Sequence, residues 1–104
     1  MTKSTMTVDE YGNKHWKNEI GALHRLDGPA VEYVDSEKHW CQNGRLHRED
    51  GPAVELQDGS VDWYFKDECL GKNIDGFWRF WERLDEDQRQ NVNLHMWLKK
   101  LTNS

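Results

Sequence analysis

Much is scarce in this chain of 104 residues: two prolines, two cysteines and no long apolar run. A membrane span needs about 20 consecutive apolar residues, and nothing here approaches that length. The first ten residues, MTKSTMTVDE, also lack the apolar centre of a secretory signal. Cys41 and Cys69 stand alone, outside any metal-binding spacing, and read as free thiols, buried or half-buried. An excess of basic residues is missing too. Fourteen Lys and Arg stand against 19 Asp and Glu, a net charge of −5, which argues against a nucleic-acid-binding face. The expectation is a single cytoplasmic domain over residues 1–104, independent of membranes, with a homo-oligomer left open. Only 36% of the residues are apolar, yet six are Trp, three Tyr and three Phe, so large aromatic bodies must fill the core.

What the chain does have is a repeat. Residues 23–32 read LHRLDGPAVE and residues 46–55 read LHREDGPAVE, a step of 23. Trp40 and Trp63 are also 23 apart, whereas Trp16 and Trp40 are 24 apart because WKNEIGALHR is one residue longer than WCQNGRLHR. Lys14-His15-Trp16 returns as Lys38-His39-Trp40 and more weakly as Val61-Asp62-Trp63. In the last copy Leu70-Gly71 replaces His-Arg, while Asp75-Gly76 keeps the Asp-Gly pair. Periods of this length mark stacked supersecondary units. Each unit reads as a β-hairpin: alternating Ala53-Val54-Glu55-Leu56, a turn at Asp58-Gly59, then Val61 to Phe65, with Asn43-Gly44 as a second tight turn. In DGP, Gly supplies an unusual φ and Pro withholds a backbone donor.

A period of 23 built as Trp, Asn-Gly, Leu-His-Arg, Asp-Gly-Pro-Ala and Asp-Gly-Ser resembles the MORN repeat. It is most similar to the MORN-like variant of phage and bacterial proteins written W…NG…LHREDGPA…DGS. That resemblance implies a meander of hairpins. It also implies a small phage accessory protein that binds and inhibits a host protein, such as one of a defence system, in the host cytoplasm.

Beyond Gly76 the period changes. Phe77, Phe80, Trp81 and Leu84 share one helical face, and Leu94, Trp97, Leu98 and Leu101 share another. Asp85 is placed to cap the second helix, with Gln88 completing a capping box. The fold class expected is therefore α+β. Antiparallel hairpin repeats over 8–74 are capped by a helical hairpin over 75–104.

HRED invites a catalytic reading, but neither a Gly-rich loop nor Asp-Phe-Gly accompanies it. A set written twice, whose third copy loses its His, behaves as scaffold, so no catalytic residue is assigned. His15/His39 and His24/His47 form a ladder about 9.5 Å apart, two strand spacings, too far for a shared metal. No metal or other cofactor is expected. The partner expected is a host protein. Its docking site is placed at Trp78, the ring one helix face cannot hide, with Arg79, Glu86 and Asp87 as charged rim. Arg79 and Arg83 could shield these rings, and Trp16, Trp40 and Trp63 are expected to stack along one face. The alternative is a small-molecule binder, a sponge for a signalling nucleotide, with His24, Arg25, His47 and Arg48 holding phosphates.

Overall fold

The computed structural model describes residues 4–102. Strands β1 (Thr5–Val8), β2 (Lys14–Lys17), β3 (Val31–Glu32), β4 (Lys38–His39), β5 (Cys41–Gln42), β6 (Arg45–Leu46), β7 (Val54–Glu55), β8 (Val61–Phe65) and β9 (Glu68–Lys72) precede three helices. These are α1 (Asn73–Arg83), α2 (Glu86–Gln90) and α3 (Leu94–Thr102). The main sheet is an antiparallel meander in the order β1-β2-β3-β4-β7-β8-β9, and β5-β6 forms a separate ribbon. The α+β class read from the sequence is the architecture observed.

Three hairpins of one design drive the meander. Each closes through a turn whose fourth residue has a left-handed φ: Gly12 at 89°, Ser36 at 83° and Gly59 at 89°. The amides of these residues donate to the carbonyls of Asp9, Tyr33 and Leu56. At Trp40 the chain passes from the main sheet into the ribbon. Trp40 donates its N–H to Ala53 O in the sheet and accepts from His47 N in the ribbon; Trp16 does the same with Ala30 and His24. The continuous return strand expected through Lys38 to Cys41 is therefore split between two sheets.

The core gathers at the C-terminal end. Trp63, Phe77 and Phe80 have no exposed surface and pack with Val61, Leu70, Leu84, Val92 and Trp97. Trp63 meets Phe80 at 4.7 Å, Phe77 at 5.3 Å and Trp97 at 5.5 Å between ring centres. Here the helices do what another hairpin would otherwise do, covering the last open face of the array.

Several expectations need correction. Asp75-Gly76 is not a surviving repeat turn but part of α1. Gly76 is there because a Cβ would lie 2.3 Å from Gly71 O and 2.6 Å from the Trp63 ring, so glycine lets α1 settle onto β9. The second helix is two. Asp85 and Gln88 form the expected capping box, but the chain breaks at 91–93, where the Asn93 side chain accepts from Met96 N and starts α3. Cys69 is exposed, Cys41 buried, and both are free thiols.

Candidate functional site

The duplicated decapeptide folds into a clamp. Arg48 lies over the Trp40 ring, its guanidinium carbon 3.7 Å from the ring centre. Its Nε donates to Asp50 Oδ1 at 2.7 Å, one terminal nitrogen donates to Pro52 O at 3.1 Å, and Glu55 is 3.6 Å away. Arg25 repeats the set on Trp16 at 4.0 Å, with Asp27 at 3.1 Å, Pro29 O at 3.3 Å and Glu32 at 4.0 Å. Arginine suits this place because its planar fork can stack and bridge at once. Gly28 and Gly51 do not have the unusual φ expected of them. A Cβ at Gly28 would stand 2.7 Å from the Arg25 guanidinium carbon, and one at Gly51 2.6 Å from that of Arg48. Space for the guanidinium is the reason for glycine.

The histidine of each copy locks the next unit on. His24 is 3% exposed and its Nδ1 accepts from Asn43 N at 3.0 Å; His47 is 5% exposed and its Nδ1 accepts from Lys66 N at 2.9 Å. Beside these bonds, Leu23 O accepts from Gly44 N and Leu46 O from Asp67 N. The receiving turns, Asn43-Gly44 and Lys66-Asp67, hold both central residues at positive φ, as tight hairpin turns require. The copies differ at the other ring nitrogen. His47 Nε2 has Glu49 at 3.3 Å, but Leu26 stands at the corresponding place in the first copy, and His24 Nε2 is buried without a partner.

Thus His24, Arg25, His47 and Arg48, the ligand-binding set of the alternative reading, are brought together in pairs and engaged inside the array. The other histidines reach hairpin carboxylates: His15 Nε2 is 3.1 Å from Asp9, and His39 Nε2 is 2.6 Å from Glu37. The hydrogen bond from His15 holds the Asp9 carboxyl down at about 2, helped by Asn13 and the Tyr11 amide against a smaller desolvation effect. No group of three His, Cys, Asp or Glu among the described residues converges to hold a metal ion.

The repeated tryptophans do not stack on one another. Trp16 and Trp40 each carry an arginine, and Trp63 carries the helices. The expected shields of the helical rings are also different residues. Arg79 donates to Leu70 O at 3.2 Å, and Arg83 pairs with Glu68. Arg89 lies 5.4 Å from the Trp81 ring centre, and Lys100 5.2 Å from that of Trp97.

Trp78 is 46% exposed, the one exposed Trp or Phe among the described residues of the helices. It leans edge-on against Phe77 at 5.1 Å. Arg79 is beside it in sequence but anchored to β9. Glu86 and Asp87 are exposed in the first turn of α2, with no hydrogen bond to Trp78 or Arg79 among the described residues.

A second feature escaped sequence reasoning. A groove of about 450 Å³ opens between the turn of the β5–β6 ribbon and that of β8–β9, lined by Gln42, Asn43, Arg45, His47, Glu49 and Lys66. The signal was present as a break in the repeat. Arg45 corresponds to Ala22 and Glu68 in the flanking copies, and Lys66 to Asn43.

The fold and its clamps define a class: a helix-capped array of β-hairpin repeats. Comparison with family models, curated proteins and solved structures finds no match. Among the described residues, no helix is long and apolar enough to cross a membrane.

Proposed function

We propose that this chain is a non-enzymatic protein-binding module that docks through its C-terminal helices. The observation that carries the proposal is Trp78, nearly half exposed on a helix whose neighbours Phe77 and Phe80 are fully buried. A rigidly backed aromatic ring is the usual anchor of a small interface. Engagement of both His-Arg pairs within the clamps supports the non-enzymatic part, because neither ring is free to act as a general base. The MORN-like character of the repeat favours a phage or bacterial accessory role, inhibition of a host defence protein.

The test is affinity capture from a host lysate with the native chain and Trp78→Ala, followed by titration of the captured protein against each. The expected result is unchanged cooperative melting with binding weakened by at least about 2 kcal/mol, the scale of an interface anchor. Equal affinity of the two chains for the captured protein overturns the docking site.

A further inference from the structure

What the array does twice builds the array; what it does once is free for another use. Three departures from the repeat fall on a single groove. Arg45 replaces Ala22 of the preceding copy, Lys66 replaces Asn43, and Glu49 replaces Leu26. Of the six arginines, five have an acceptor: Arg25, Arg48, Arg79, Arg83 and Arg89. Among the described residues, only the guanidinium of Arg45 has none. Lys66 likewise pairs with no carboxylate there, its ammonium lying 5.8 Å from the Phe65 ring centre. So two uncommitted cations face one groove in a chain whose net charge is −5.

The groove wall is rigid. His47 is 5% exposed, packed edge-on against Phe65 at 4.6 Å, with Nδ1 fixed by Lys66 N and Nε2 turned to Glu49. Lys66 itself sits in a tight turn at a φ of 49°. Arginine and lysine together suit a phosphate, the first by a fork of donors and the second as a point charge. The amides of Gln42 and Asn43 and the carboxylate of Glu49 line the remainder and suit a polar body bearing donors. A volume near 450 Å³ is that of a small-molecule site.

We infer that this groove binds a phosphate monoester of about mononucleotide size, its phosphate between Arg45 and Lys66 and its polar body towards Gln42 and Glu49. The site is independent of Trp78 and of the docking reading, and it uses neither clamp arginine.

The test follows backbone amide NMR shifts of the whole chain on titration with adenosine 5′-monophosphate, with adenosine as the uncharged comparison. The sibling repeat supplies the variants, Arg45→Ala and Lys66→Asn, each the residue found at the corresponding place one copy earlier. Asn43 already holds such a turn at a φ of 52°. The expected result is saturable shifts at Asn43, Gly44 and Lys66, silence in the corresponding turn at 19–22, and at least tenfold weaker binding in either variant and for adenosine. Shifts that fail to saturate, binding weaker than about 1 mM, or equal affinity in Arg45→Ala would each overturn it.

Discussion

The guanidinium of Arg48 sits 3.7 Å from the ring centre of Trp40, and Gly51 leaves the space that lets it. Residues eight apart in one repeat thus meet across the space left by a glycine three residues further on. Arg48→Lys keeps the charge but loses the planar fork. It is expected to cost about 1–3 kcal/mol, combining a stacked cation with charged hydrogen bonds. Urea unfolding of the two chains measures the difference.

Gly51→Ala should be destabilising in the native chain by about 1–3 kcal/mol, the usual cost of overpacking. In an Arg48→Ala background the added methyl has nothing to displace, and the same change should cost little. A double-mutant cycle with coupling of at least about 1 kcal/mol is the expected outcome. Simple additivity would show that Gly51 has some reason other than the guanidinium.

Leu26→Glu copies the second repeat into the first and offers His24 Nε2 the carboxylate that His47 Nε2 already has. Leu26 is 65% exposed, so little apolar burial is lost. The variant should be more stable by about 0.5–1.5 kcal/mol, the net value of one hydrogen bond. Thermal melting checks it.

The thiols should separate under alkylation. Burial, with a smaller effect from Asp67, pushes Cys41 up to about 11, and the thiolate is the reactive form. Iodoacetamide at pH 8 should label Cys69 alone in the folded chain and both cysteines in denaturant, as read by mass spectrometry.

Acid should act on the first hairpin early. The Asp9 carboxyl titrates at about 2 when folded, below its ordinary value of 3.8. Its contribution is complete above the unfolded value and declines as pH falls from 3.8 through about 2. Asp9→Asn should flatten that part of the stability profile, measured by urea midpoints between pH 5 and pH 2.

The hairpin of Ala53 to Phe65 and the turns at Asn43-Gly44 and Asp58-Gly59 were legible because period, Gly placement and alternation are local properties. Strand β1, which lies almost wholly ahead of the repeat expected over 8–74, and β9 with its Lys66-Asp67 turn, which has no Gly, were not. So was the capping box at Asp85 and Gln88. The clamp was not. Nothing in LHREDGPA says that Arg48 reaches back eight residues to Trp40, since that contact needs the ribbon to fold the two together. For the same reason Gly51 was read as a conformational device rather than as space. Gly76 was misassigned because Asp-Gly suits a turn locally, whereas packing of α1 on β9 decided its place. Trp78 was legible as the ring left over on a crowded helix. Arg45 and Lys66 carry no periodic signal, because the groove is made of residues that do not recur and meet only when two turns are folded side by side.

One extra residue in the first repeat has a consequence for how such chains can grow. In later copies the turn amide at Asn43 or Lys66 is taken up by a histidine from the unit before. Among the described residues no histidine reaches the turn at 18–22, and Asn18 closes it instead: its side chain accepts from Ile20 N and Ala22 N, and its carbonyl from Gly21 N. That turn is therefore closed from within by its own asparagine, whereas the turns at Asn43 and Lys66 are each held by a histidine from another unit. For lengthening by duplication, a 23-residue cassette starting at Trp40 carries both a histidine that locks the next turn and a turn that receives one, so it offers the same sockets on both sides.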